Sequence, residues 1–190
     1  RKKMVQDEIS RRALLRSASL TLLSAAVAQP GLAADIDLPK DLDLEHFMRL
    51  AIVEAKKVPK FPFGSVIVNL KKKEVVATGT VRLNNPIWHG EMTAIYNCPD
   101  VDKGFNWKDV CLFTTGESCP MCQSAAIWCG MPYVIYGSSI PFLQSCGFGD
   151  INIRSKDVAA ASLHNKCSVI GAVLESECNE LFLNAKKLST

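Results

Sequence analysis

The chain has 190 residues, room for one domain with a full core and short additions, and its apolar fraction of 48% is ordinary for a globular protein. The formal net charge is only +3, and most positive charge is local, at Arg1, Lys2, Lys3, Arg11, Arg12, Arg16 and Lys71 to Lys73. That distribution argues against a nucleic-acid footprint over the body of the domain.

Residues 1–34 read as an N-terminal twin-arginine-type signal peptide. Arg11-Arg12 precede a short apolar stretch, 18–28, and small residues follow at Ala26-Val27-Ala28 and Gly31-Leu32-Ala33-Ala34. The stretch is too short, and too broken by Ser and Thr, to span a bilayer. The reading predicts export to the periplasm with no stable membrane association. The competing reading, a basic amphipathic first helix of the domain, would leave the protein in the cytoplasm.

The domain then occupies 35–190. After a polar linker with Pro39, Asp43 is placed to cap a helix whose apolar stripe is Leu44, Phe47, Met48, Ala51, Ile52 and Ala55. Pro59 and Pro62 end it. Residues 63–69 read as a buried strand, Lys71 to Lys73 as a solvated hairpin tip, and 75–79 as the second strand. A helix after His89 is expected to bury Met92, Ile95 and Cys98. A third strand over 110–115 delivers Cys119 to a helix running to about Cys129, stopped by Gly130 and Pro132. A fourth strand follows at 133–136. The Gly- and Ser-rich residues 137–153 read as irregular, a wall or lid. A helix over 155–164, a strand over 167–170 and a closing helix marked by Leu174, Cys178, Leu181 and Phe182 complete the chain. Strands alternating with helices imply an α/β sandwich with helices on both faces of one sheet.

Two stretches carry the chemistry: Trp88-His89-Gly90-Glu91 and Ser118-Cys119-Pro120-Met121-Cys122. Cysteines at i and i+3 share one face at the start of a helix, and a helix N-terminus favours the thiolate a metal needs. With His89 they form a three-ligand set for a catalytic zinc with one open position, Glu91 standing outside the metal shell. This order of motifs is the signature of zinc deaminases, with Ser118 where proline usually stands. The same Cys-x-x-Cys spacing also serves thiol redox sites and structural zinc knuckles. A periplasmic thiol oxidoreductase using Cys119 and Cys122, and a zinc-binding relative without activity, are therefore the alternatives. Eight cysteines are present; the six outside the motif fall in apolar runs and read as buried thiols.

On these motifs, with Pro62-Phe63-Gly64-Ser65-Val66-Ile67-Val68, Thr114-Thr115-Gly116-Glu117 and the tail Gly171 to Cys178, the chain resembles the cytidine deaminase-like superfamily. The likeness is strongest to its guanine, cytosine and tRNA-adenosine deaminase branch, and covers roughly 44–182. His-Gly-Glu looks like fungal-type cytosine deaminases, whereas Glu117 and Cys-Pro-Met-Cys look like guanine deaminases. The resemblance implies a zinc-dependent CMP/dCMP-type deaminase domain over 35–190, a three-layer α/β/α sandwich with a mixed five-stranded sheet. It implies Zn2+ held by His89, Cys119 and Cys122 with water in the fourth place, and Glu91 as the proton shuttle. The implied reaction is hydrolytic deamination of a free nucleobase or nucleoside, a guanine- or cytosine-like heterocycle, releasing ammonia. Trp88, Phe148 and Phe142 are candidates to stack on the ring, and Asp150 resembles an acidic base-recognition segment. The family usually carries a base- or ribose-binding asparagine after the second strand, where this chain has Val81; Asn84 or Asn85 is the candidate substitute. A homodimer is implied because the family commonly dimerises, and a nucleic-acid substrate is not expected of an exported protein.

Overall fold

The computed structural model describes residues 37–99, 105–149 and 151–188, all within one compact unit, Gly31–Thr190. The signal-type segment 1–34 and Asp150 lie outside the described residues. Helix α1 (Leu44–Ala55) begins where the pattern places it: Asp43 Oδ1 accepts the His46 N–H at 2.9 Å. Its stripe buries Phe47, Met48, Ala51, Ile52 and Ala55. Strands β1 (Gly64–Asn69) and β2 (Glu74–Thr80) form the hairpin. Asn69 Oδ1 accepts the N–H groups of Lys71 and Lys72, which turns the lysine run into its exposed tip. Then come α2 (Gly90–Tyr96), β3 (Val110–Gly116), α3 (Pro120–Cys129), β4 (Tyr133–Ser138), α4 (Ile140–Ser145), α5 (Ser155–Ala160), β5 (Ser168–Ile170) and α6 (Glu175–Lys187).

The sheet is mixed and five-stranded, in the order β2-β1-β3-β4-β5. β1 is antiparallel to both β2 and β3, and β3, β4 and β5 are parallel. Side chains alternate between the faces with period two, and both faces are covered. Val66, Val68, Cys111, Phe113 and Ile135 pack with α1 and with Cys178 of α6. Ile67, Leu112 and Val134 pack on the other face with Ala94 of α2 and Ala126 of α3. Full burial of each large side chain contributes roughly 1.5–3 kcal/mol. This is the three-layer arrangement the sequence implied. No helix among the described residues is long and apolar enough to cross a membrane.

Three details differ from the sequence reading. Residues 137–153 are not wholly irregular, because Ile140-Pro141-Phe142-Leu143 starts α4 and buries Ile140 and Leu143. The pre-set φ of Pro141 suits a first helical turn, and six residues are too few for periodicity to reveal. Helix α2 buries Gly90, Glu91, Thr93 and Ala94, whereas Met92, Ile95 and Cys98 are only partly buried. It presents its small and polar side to the sheet because it lies too close to β1 for large side chains. The helix begun at Ser155 stops at Ala160, short of His164.

The pairing also positions the site. β2, β3 and β4 all run opposite to β1, so their C-terminal ends meet the start of β1 along one edge of the sheet. The loop to His89, the turn to Cys119, the start of α4 and Phe63 therefore converge there. Ligand sites in such sheets favour this edge.

Candidate active site and metal centre

His89 and Cys119 are the residues immediately before α2 and α3, both with extended backbone. Neither caps its helix with a side-chain hydrogen bond. Their side chains face each other instead. His89 Nδ1 lies 3.6 Å from Cys119 Sγ and 3.6 Å from Cys122 Sγ. Zinc bonds of about 2.3 Å to sulfur and about 2.0–2.1 Å to nitrogen at tetrahedral angles place sulfur and nitrogen about 3.6 Å apart. All three ligand atoms lie within 4.8 Å of one another, and the donor set is that of a zinc site. The residues fit the metal.

The thiols are unequal without metal. The Cys122 thiol, then His89, draw the Cys119 thiol down to about 4 against the opposing effect of burial. Cys122 is raised well above its ordinary value, because it donates to Cys119 and is buried. Zinc takes its cysteine ligands as thiolates, so its binding must release whatever proton the pair retains.

Glu91 follows in the first turn of α2, 3% exposed, with Oε2 lacking a hydrogen-bond partner among the described residues. Burial, then the charge on Cys119, push its carboxyl up to about 7. A buried carboxyl that titrates near neutrality, beside the three ligands, is suited to moving protons. Glu117 is equally buried but saturated. It accepts from Arg154 Nε at 2.8 and 2.9 Å, from the N–H groups of Ile140 and Ser155 at 2.9 and 3.0 Å, and from Ser155 Oγ at 2.8 Å. Burial alone would raise its carboxyl; Arg154 and these donors outweigh that and hold it below the ordinary value.

A cavity of about 450 Å³ opens onto this centre. Its inner end is His89, Glu91, Glu117 and Cys119; Phe61, Phe63, Phe148 and Val81 form walls, and Lys60 and Lys186 stand at the lining as well. Phe148, a candidate to stack on the ring, lines the cavity, edge-on to Phe63 at 5.5 Å and to Phe182 at 5.3 Å. Trp88 is placed elsewhere. Its ring packs on Tyr96 at 4.9 Å and under the Arg82 guanidinium at 4.5 Å, and it is not among the lining residues. The physical reason is alternation at an extended residue: with His89 turned inward, its neighbour points out. Asn84 is exposed, and neither it nor Asn85 lines the cavity. Asn85 Oδ1 accepts the Ile87 N–H at 3.1 Å and so builds the turn before His89. Phe142 packs beside the Leu143–Phe182 cluster. Phe61, Phe63 and the saturation of Glu117 escaped sequence reasoning. The Phe-Pro-Phe before β1 was the available signal for the first two; Glu117 gave none, since its partners lie 23 to 38 residues away.

The model of the cytidine and deoxycytidylate deaminase zinc-binding region matches residues 42–138. The tRNA-specific adenosine deaminase of Streptococcus pyogenes serotype M1 is 33% identical over 70% of this chain and 77% of its own length. The guanine deaminase of Bacillus subtilis (strain 168) is 35% identical over 47% of this chain and 58% of its own. The solved guanine deaminase from Nitrosomonas europaea superposes with a TM-score of 0.66 at 18% identity, covering 83% of this chain and 87% of that one, which shows the fold. Neither the family match nor the ligand geometry favours a thiol oxidoreductase. The chain belongs to the cytidine and deoxycytidylate deaminase zinc-binding family, and His89, Cys119 and Cys122 make its zinc site.

Proposed function

We propose that this protein hydrolytically deaminates a free nucleobase or nucleoside, an aminated heterocycle of guanine or cytosine type, releasing ammonia. The observation that carries the reading is one cavity with the ligand set and a buried Glu91, one oxygen of which has no hydrogen-bond partner among the described residues, at its inner end and aromatic walls beyond. Bound zinc supplies Lewis acidity that makes a water nucleophilic near neutral pH. Glu91 accepts the proton of the attacking water, hands it to the ring nitrogen, and serves again as the amino group leaves as ammonia. The carbon that carried the amine keeps the water oxygen, so the ring gains a carbonyl. Phe63 and Phe148 hold the ring against the metal and exclude water.

The 1–34 segment supports a periplasmic location, on a route that carries folded, metallated proteins. Arg11→Lys with Arg12→Lys should then hold the protein in the cytoplasm. A homodimer would cover the α2–α3 face, where Tyr96 and Trp128 are 68% and 70% exposed. The test of function is zinc analysis followed by an ammonia-release screen of bases and nucleosides, with a tRNA anticodon stem-loop as control. About one zinc per chain with turnover of a base or nucleoside supports the reading. Zinc without turnover of any of these marks an inactive relative, and turnover of the stem-loop alone a tRNA enzyme.

A further inference from the structure

We propose that Glu117 is a positioning residue for this reaction: it fixes the Phe148 wall of the cavity relative to the zinc ligand two residues further on. The proposal rests on the deaminase reading above.

Glu117 is the first residue beyond β3, and its N–H donates to Ser138 O at the end of β4 at 2.7 Å. Its carboxylate is the meeting point of the chain that follows β4. Oε2 accepts from the first N–H of α4, and Oε1 accepts both the N–H and the hydroxyl of the first residue of α5. Arg154 Nε donates to both oxygens, and its other arm donates to Tyr136 Oη at 3.0 Å. The far end of α4 delivers Cys146, Gly147, Phe148 and Gly149, all lining the cavity. One carboxylate therefore ties the strand end that presents Cys119 to both segments flanking this wall.

All five contacts point donors at Glu117, so no lone pair is left to take a proton from substrate or water. That separates it from Glu91 and makes its contribution geometric. A carboxamide of the same size cannot replace it, because its NH2 would face N–H groups that have nowhere else to donate. The apolar cluster of Phe148 with Phe63 and Phe182 still holds one side of the wall when the carboxylate is lost. The wall should then loosen without collapse.

The test uses the full-length zinc protein with Glu117→Gln, Arg154→Met and Arg154→Lys. Zinc per chain, kcat and KM are measured on the substrate found by the screen, with hydrogen exchange on the same samples. Losing hydrogen bonds to a charged group should raise KM roughly 10–100-fold, with kcat within about threefold of native and zinc unchanged. Arg154→Lys, which restores charge but only one arm, should recover part of the loss. Amides of Cys146 to Phe148 should exchange at least about tenfold faster, with those of β1 and β3 unchanged. A fall in kcat at constant KM, no change in either, or native exchange at Cys146 to Phe148 would overturn the proposal. If the native protein deaminates nothing, the deaminase reading fails, and the exchange arm alone decides whether Glu117 holds this wall.

Discussion

Two carboxylates are buried at the inner end of the same cavity, and their surroundings are opposite. Glu91 leaves one oxygen without a partner among the described residues and is pushed up to about 7 by burial and by Cys119. Glu117 receives donors on both oxygens and is held below the ordinary carboxylate value by Arg154 and backbone N–H groups despite burial. Burial alone therefore says nothing about role. What separates a proton carrier from a structural anchor is whether donors meet the charge. Where environments drive two titratable groups apart, acid–base duty falls to the one left near neutrality.

The largest effect is expected from Glu91→Gln, which keeps size but cannot accept the water proton. It should lower kcat by ~10²–10⁴-fold or more, with zinc content near native. His89→Ala should instead lose the zinc, because a ligand is gone. Near-native turnover of Glu91→Gln, or zinc loss matching that of His89→Ala, would make Glu91 a structural residue like Glu117.

Stability against pH sharpens the contrast in the metal-free protein. Glu91 has a folded value of about 7, raised from an ordinary 4.5. The folded state thus binds its proton more tightly than the unfolded state. The corresponding stability is full below about 4.5 and is lost as pH rises through about 7. Glu91→Gln escapes this loss. Its thermal midpoint relative to native should rise across that window, by the equivalent of at most on the order of 3 kcal/mol. A difference that stays flat between these pH values would mean Glu91 is not desolvated.

Gly90→Ala tests what keeps Glu91 dry. A Cβ at Gly90 would lie 2.5 Å from Phe63 O and 3.2 Å from Ser65 Oγ. Helix α2 would have to lift from β1, at a cost of about 1–3 kcal/mol. Opening the interface should also bring the Glu91 carboxyl back toward its ordinary value, visible in the metal-free protein as a smaller loss of stability as pH rises through about 7. Gly90→Ala with native stability and pH dependence would show that α2 can shift freely.

The smallest effect is expected at Trp88. Its ring packs against Arg82 and Tyr96, away from the cavity. Trp88→Phe should leave KM within about twofold, and a tenfold rise would return Trp88 to the substrate wall.

The residues that hold the metal were legible because their geometry is local. Cys119 and Cys122 are one helical turn apart, and His89 and Glu91 bracket the start of another helix, so short-range backbone geometry alone aims them. The same holds for the Asp43 cap and for the strand alternation, which period-two burial makes readable wherever both faces are covered. A composition of 48% apolar residues, the motif order and the alternation of strands and helices together determined fold class and zinc chemistry. Only the tertiary structure decided which aromatic rings face the cavity and which buried glutamate is saturated. Trp88 and Phe148 look alike as sequence neighbours of functional segments; side-chain direction at an extended residue separates them. Glu117 takes its donors from Ile140, Arg154 and Ser155. These partners meet only because parallel pairing of β3 and β4 brings Gly116 beside Ser138, a register that long-range sheet packing sets and no local pattern encodes.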